Sequence, residues 1–561
     1  MFSRRDFLIL AATTAALTGA KGRLARVAAR QAITQDDLLS FDSLGQVTLL
    51  HFTDLHAQLR PVYFREPSVN LGVGEAKGLP PHVTGKSFLE AHGIAAKSAE
   101  AYMLTDQDFE ALARSYGRVG GLDRMASLVK AIRTARPDNT LLLDGGDTWQ
   151  GSYTSLVSDG ADMVKAMNAL GVDAMTAHWE FTYGSDRVQE LVEELAFPFL
   201  AGNVVDTEWE EPVFSPTQVF ERGGVKVAVI GQAFPYTPVA NPRYKIPTWS
   251  FGIREKEVQG HVEAARAEGA ELVVLLSHNG FDVDRKLAGR VEGIDVVLTG
   301  HTHDALPRVE TVGKTLLVAS GSHGKFLSRL DLKLEGGKLA AHRYRLIPVL
   351  SDAIQPDPEM AAVIEEIRKP HEAELRRVLG RTESLLYRRG NFNGTFDDLI
   401  CQALLEERDA EIALSPGFRW GASLLPGQEI TVEDVYNMTA ITYPKAYRSE
   451  MSGQMLKDIL EDVADNLFNP DPYYQQGGDM VRVGGLAYTI DIQKPIGSRI
   501  SDMTSAKDGK PIDPARNYVV AGWASVNEGT EGPPIYDLVA RHIENKKSVV
   551  IPENQSIRVL S

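Results

Sequence analysis

Cysteine is almost absent from this chain: Cys401 is the only one in 561 residues. No intramolecular disulfide can form, and zinc sites built from several thiolates are excluded. Cys401 itself reads as a buried structural thiol. Basic stretches interleaved with aromatics are also missing, and the net charge is -16, so nucleic acid is not an expected partner. An anionic substrate would then need a local positive centre. Beyond the N-terminus no apolar run approaches the about 20 residues of a membrane helix, which speaks against stable membrane insertion. No heptad seam is present either.

What is present is a globular α/β pattern. The chain is 43% hydrophobic and 24% charged, and its length suits two or more folded units. At the start, Ser3-Arg4-Arg5-Asp6-Phe7-Leu8 precedes an apolar run from Ile9 to Ala20. This order resembles a twin-arginine export signal, with cleavage after Ala20 or Ala29, and implies a periplasmic location. The segment is therefore excluded from the fold.

Short β-branched runs follow at Val47–Leu50, Thr140–Leu143, Val225–Ile230, Leu272–Leu276 and Ile294–Leu298. Amphipathic helical patterns lie between several of them, as at 120–135 and 255–268. In such sheets ligands collect beyond the carboxyl ends of strands, and most of the polar motifs fall there. Asp54-Leu55-His56 places two donors two residues apart, on one side of an extended chain. Asp144-Gly145-Gly146-Asp147 offers Asp147 as a carboxylate able to serve two cations, with Asp144 as a turn former. His178 in Ala177-His178-Trp179-Glu180-Phe181, His278 in Ser277-His278-Asn279-Gly280, and His301 and His303 in Gly300-His301-Thr302-His303-Asp304 complete the series. His323 stands between a functional and a structural reading, and the other histidines read as structural.

The order of these motifs resembles the binuclear metallophosphoesterases in their 5′-nucleotidase branch. That resemblance implies a four-layer α/β/β/α sandwich followed by a C-terminal α/β substrate domain. It implies one metal on Asp54, His56 and His303, another on His178, His278 and His301, and Asp147 bridging. Imidazole and carboxylate donors suit Mn, Fe or Zn better than Mg or Ca, and two such ions, roughly 3.5–4 Å apart, activate water for in-line displacement.

One motif departs from the phosphatase pattern. That branch carries Gly-Asn-His-Glu, in which the histidine helps protonate a leaving alkoxide; here the segment is Ala177-His178-Trp179-Glu180. His178 can replace the asparagine as a ligand, but the Trp179 indole is no general acid. A leaving thiol, with a pKa of about 8.5, or a more acidic persulfide tolerates that loss, whereas an alkoxide does not. Segments 51–61, 177–184 and 300–305, with the insert between Arg60 and Arg118, are similar to the SoxB family of thiosulfohydrolases. Membership implies two manganese ions and a SoxYZ-type carrier protein whose cysteine S-thiosulfonate loses sulfate and remains a persulfide.

The expected organisation is an export signal at 1–29, a dimetal catalytic domain at 41–350 with an insert at 60–117, a linker helix at 351–379 and a substrate domain at 380–561. From about Gly380 the chain resembles the C-terminal domain of 5′-nucleotidases. Asp147 and Trp179 are read as catalytic. Arg419 is the candidate to grip the sulfonate through a forked guanidinium, with Trp179, Tyr443 and Tyr474 lining the pocket. Gly477 and Gly478 are candidates to admit the carrier arm, and the insert to dock the carrier. Two other readings stand beside this one: a periplasmic 5′-nucleotidase or cyclic nucleotide phosphodiesterase, and a non-catalytic metal protein that docks the carrier.

Overall fold

The computed structural model describes residues 33–560. The Arg4-Arg5 export signal and both candidate cleavage positions lie outside the described residues. Each of the five apolar runs forms a strand, at Val47–Phe52, Thr140–Asp144, Val225–Gln232, Leu272–Ser277 and Val296–Thr299. They belong to two sheets. Val47–Phe52 pairs in parallel with Thr140–Asp144 and antiparallel with Phe326–Glu335, within a five-stranded sheet. Leu272–Ser277 lies between Val225–Gln232 and Val296–Thr299, parallel to both, within a six-stranded sheet.

The two-residue period of each strand divides its side chains between two cores. Val47, Leu49, Leu141 and Leu143 meet Val227, Val229, Leu272, Val274 and Leu298 between the sheets. Leu50, Phe52 and Leu142 face instead the helices Leu122–Ala135 and Ala161–Leu170. Val273, Leu275 and Val297 face the helices Glu255–Ala267 and Phe281–Ala288. The result is a four-layer α/β/β/α sandwich. Burial on both faces is why these strands read as unbroken apolar runs, and each Val or Leu so buried contributes on the order of 2 kcal/mol.

Beyond the sandwich, Pro358–Arg368 forms a helix capped by the Asp357 side chain and seated on the first core through Met360 and Ile364. From Val378 the chain builds an α/β unit around the four-stranded sheet Tyr447–Ser452, Asn517–Gly522, Ile412–Ser415 and Arg482–Gly484. The helices Thr395–Glu407, Gly453–Phe468 and Ile535–Lys546 pack on it. Cys401 is buried there. Among the described residues no helix is long and apolar enough to cross a membrane.

The insert joins the two halves. Its helices Gly85–His92, Ala99–Leu104 and Phe109–Tyr116 follow a segment whose Tyr63 pairs with Ser423, and Phe64, Tyr102 and Phe109 share a core with Leu425. Val73 enters the core of the C-terminal half beside Phe392 and Met480. One buried ion pair pins this arrangement: the Lys325 ammonium donates to the Glu66 carboxylate and to the Met103 carbonyl at 3.0 Å. Both residues are less than one tenth exposed, so removing one partner strands the other charge in the interior. Glu66→Ala is expected to lower stability by about 3–5 kcal/mol, read as a lower midpoint in chemical denaturation. Glu66→Leu combined with Lys325→Met should restore most of that loss.

Candidate metal centre

The strand ends bring the polar motifs together. Asp54 and His56 follow Phe52, Asp147 follows Asp144, His178 follows Met175, His278 follows Ser277, and His301 and His303 follow Thr299. Their donor atoms form two groups that share Asp147: Asp147 with His178, His278 and His301, and Asp54, His56 and His303 with Asp147. Within each group the donors lie within 4.8 Å of one another. Asp147 Oδ2 is 3.1 Å from His178 Nδ1 and 3.2 Å from His278 Nε2. Asp54 Oδ1 is 3.1 Å from His303 Nε2, which in turn is 3.0 Å from His56 Nε2.

The backbone at these turns is unusual. Asp54, His56, Asp147, His301 and His303 all have positive φ, between 49° and 73°, a conformation that costs a non-glycine residue roughly 1–2 kcal/mol. Cross-links between the loops hold it. The amides of Asp54 and His56 donate to the carbonyls of Gly146 and Asp147, each at 2.8 Å, and the His301 amide donates to the Asp54 carboxylate at 3.1 Å. Gly300 permits this crowding, since a Cβ there would come within 2.4 Å of Thr53 Oγ1 and 2.9 Å of His278 Nδ1.

Glu180 organises two of the loops, a role not apparent in its motif. Its buried carboxylate accepts from the backbone N–H groups of Asp147, Thr148, Trp149 and His178 at 2.6–3.2 Å. Asp144 has the structural role its turn suggests, accepting from Gly146 N and Thr148 Oγ1. The second nitrogens of three histidines face backbone carbonyls: His56 Nδ1 towards Gln150, His278 Nδ1 towards Gly145, and His301 Nε2 towards Gln476. Such contacts fix the tautomer and leave the other nitrogen with its lone pair.

The electrostatics suit cations. Burial lowers His56 to about 4 and also lowers His178. Burial, with neighbouring imidazoles, drives His301 and His303 well below their usual range. These four rings are therefore neutral, with lone pairs free, near pH 7. Burial pulls His278 down as well, but Asp147 and Asp54 raise it to about 10. Burial pushes Asp147 up, and His178 and His278 bring it well below the ordinary carboxylate value. Carboxylate oxygens and ring nitrogens held 3.0–3.2 Å apart in a buried site fit two divalent ions better than they fit the protein groups alone.

A cavity of about 180 Å³ opens beside the cluster, lined by His56, Asp147, His178, His301 and His303 on one side and by Phe418, Arg419, Trp420 and residues 476–479 on the other. Its walls are aromatic. Phe418 and Trp420 stack at 4.1 Å, and the Trp179 ring meets both edge-on at 5.4 and 5.3 Å. Phe234 lies 4.1 Å from the rings of both His178 and His301. The backbone N–H of Trp179 donates to Asp147 Oδ1 at 2.7 Å, which ties the cavity wall to the cluster.

Other expected pocket residues are placed differently. The Arg419 guanidinium lines the cavity, but it donates to the carbonyls of Thr302 (3.2 Å) and Gly478 and lies 3.4 Å from Asp479. Much of its donor capacity is thus committed within the protein. Tyr443 is buried in the C-terminal core with its hydroxyl on the Ala240 carbonyl at 2.6 Å, and Tyr474 is 64% exposed; neither lines the cavity. His323 Nε2 accepts from the Gly421 N–H at 3.0 Å, so it braces the C-terminal half next to the cluster. Phe234, Trp420 and Glu180 were not singled out by sequence, because aromatics and carboxylates at such positions are more often read as core or solvated surface.

Comparison with known proteins follows this geometry. Residues 378–539 match the family model described as the 5′-nucleotidase C-terminal domain. The structure of sulfate thiohydrolase SoxB from Thermus thermophilus superposes with a TM-score of 0.90 at 38% identity, covering 93% of this chain and 98% of that one. A 5′-nucleotidase precursor, also from Thermus thermophilus, has a TM-score of 0.72 at 23% identity, covering 92% and 99%, and shares the fold. The 5′-nucleotidase of Bos taurus is 26% identical over 442 residues, 71% of this chain and 74% of that protein.

With Asp147 common to both groups, Asp147→Ala is expected to abolish binding of both ions. Metal analysis should find two equivalents on the loaded wild-type chain and less than about 0.2 on the variant. Chelation should lower the thermal midpoint of the wild type and leave that of the variant unchanged, because an ion stabilises only a fold that binds it.

Proposed function

Because this chain belongs to the SoxB family, within the 5′-nucleotidase branch of the two-metal hydrolases, we propose that it is a thiosulfohydrolase. Its substrate would be a cysteine S-thiosulfonate on a SoxYZ-type carrier, with manganese as the metal and the periplasm, reached by twin-arginine export, as its location. Water adds its oxygen to the terminal sulfone sulfur, and the bond from that sulfur to the neighbouring sulfane sulfur breaks. The electron pair leaves with the persulfide, and sulfate and protons are released. When bound, the two ions supply an activated water and neutralise charge on the sulfone oxygens.

The observation that carries this reading is Trp179. Its amide is fixed on Asp147 and its ring forms a wall of the cavity, where the phosphatase pattern places an acid. An indole donates no proton to a leaving group, and a persulfide requires none near neutral pH. The other rings serve the same end, since Phe418, Trp420 and Phe234 give a polarisable, water-poor surface suited to divalent sulfur. His56 and His301, whose tautomers are held by carbonyls, keep their lone pairs aimed at the cluster, and Glu180 holds the Asp147 and His178 loops in register.

The 5′-nucleotidase reading draws on the C-terminal family match and on relatives of that name. Size and shape argue against it. A cavity of about 180 Å³ is smaller than the roughly 300–1,000 Å³ of pockets that enclose drug-sized ligands. Phe418 and Trp420 also stack on each other and leave no slot between them for a base.

Parallel assays of the manganese-loaded protein test the proposal: a carrier S-thiosulfonate scored for sulfate, and AMP scored for phosphate. Sulfate release with negligible phosphate is expected, and efficient phosphate release from AMP would return the chain to the nucleotidases. Trp179→His should keep both ions and gain phosphate-ester hydrolysis by about 10²-fold, the lower range for a positioned general acid. No gain at full metal occupancy would defeat the leaving-group argument.

A further inference from the structure

The two ligand groups are not supported in the same way. His56, His178, His278 and His303 make no hydrogen bond, among those resolved in the described residues, to the C-terminal half, whereas His301 Nε2 donates to the Gln476 carbonyl at 3.1 Å. The Gly477 backbone then lies against the same ring: a Cβ at Gly477 would fall 2.2 Å from His301 Nε2 and 2.8 Å from its Cδ2. Phe234 stacks on the ring at 4.1 Å and 29°. The imidazole is thus clasped between an aromatic of the catalytic half and a peptide of the C-terminal half.

The clasping loop is braced from both halves: the residues just before it reach the catalytic half, where Lys286 donates to Asp471 and the Tyr473 hydroxyl donates to Glu255 at 2.7 Å, while the loop itself is tied to the C-terminal half. The Gln476 N–H donates to the Asn466 carbonyl at 2.9 Å, the Gln475 side chain to the Asn469 carbonyl at 2.8 Å, and the Asp479 N–H to the Gly417 carbonyl at 2.9 Å. Asn466 lies on the helix Gly453–Phe468. The loop thus sits at the seam between the halves, and its contact with His301 exists only while they are docked there.

We infer that the C-terminal half is part of one metal group: the Gln476 carbonyl and the Gly477 backbone are positioning elements that select the His301 tautomer and hold its Nδ1 lone pair towards Asp147, His178 and His278. This rests on the two-metal reading of the cluster. Donation from Nε2 leaves Nδ1 as the free nitrogen, and outer partners of this kind set both ring orientation and ligand basicity. Among the described residues the Asp54, His56 and His303 group receives no hydrogen bond from the C-terminal half and meets it through ring contact, His56 lying 5.8 Å from the Trp420 ring, so docking of the halves bears more strongly on the affinity of one ion than on that of the other. Gly477 is required because any side chain would displace the ring, which gives the Gly477-Gly478 pair a role apart from admitting a carrier arm.

A matched pair of variants tests this. Gly477 and Gly478 have nearly equal positive φ, 73° and 77°, so alanine strains the backbone similarly at either. At Gly478 the nearest atom to an added Cβ is the Gly417 carbonyl oxygen at an ordinary 3.6 Å. Gly477→Ala and Gly478→Ala, each checked for folding by circular dichroism without metal, are titrated with manganese by calorimetry and their bound metal is counted by mass spectrometry. Gly477→Ala should bind its second ion about 10–100-fold more weakly and retain one ion after dialysis, while Gly478→Ala retains two. Two ions at wild-type affinity in Gly477→Ala, or an equal loss in Gly478→Ala, would overturn the inference alone. A wild-type chain that holds fewer than two ions would overturn the two-metal reading and the inference together.

Discussion

Asp147 Oδ2 lies close to ligand nitrogens of both groups, and the rest of the structure holds four separate loops against that one atom. Such convergence is unfavourable without cations: seven buried donors face one another, with carboxylates and lone pairs within hydrogen-bonding distance, and five of the residues have left-handed backbones. What sustains it is a rigid base. The buried parallel strands end side by side within each sheet, and the loops are cross-linked by Glu180, by the Asp54 carboxylate and by backbone bonds from one turn to the next. Strain at the turns is offset by the packing beneath them, and the field created at the cluster is one that two divalent ions relieve.

Aromatic side chains do the complementary work. Trp179 belongs in sequence to the catalytic half, but its ring is buried in the core of the C-terminal half, so one residue joins the cluster, the cavity wall and the contact between halves. Phe234, Phe418 and Trp420 continue that wall and give the space above the ligands an apolar side. In a small, partly apolar cavity the charge of bound cations would act on a substrate with less screening than in water, which suits the charge that the proposed reaction develops on sulfone oxygens. The insert closes the arrangement from the side by packing on both halves, with the Glu66–Lys325 pair buried beneath it.

Much of this was legible in the residues. Unbroken β-branched runs give buried strands because both faces of each sheet are covered, and the polar motifs could be read as ligands because they recur at strand ends; the extended geometry expected for Asp-x-His is replaced by left-handed turns, which send His301 and His303 to different donor groups. The replacement of an acid by Trp179 needed no coordinates to be noticed. Arg419 shows the limit of this approach. A forked guanidinium after Pro416-Gly417 is chemically suited to an oxyanion, yet three neighbouring acceptors already engage it, and only tertiary contacts reveal that. Tyr443 and Tyr474 were candidates by residue type alone, and burial of one and exposure of the other take both away from the cavity.

The sequence by itself therefore determined the buried strands and the donor motifs at their ends, because each depends on short-range order, an apolar run or the side chain present at one position; the layered sandwich, the division of the donors between two ions and the meaning of Trp179 came from the family resemblance those motifs carry. The tertiary structure alone decided which nitrogen of His56, His278 and His301 is held by a carbonyl, how Glu180 gathers four backbone donors, and that Gln476 and Gly477 reach across to His301. Those contacts join residues distant in the chain, and the ones from Gln476 and Gly477, 175 and 176 positions from His301, arise from the docking of two separately built halves, a geometry that no local pattern encodes.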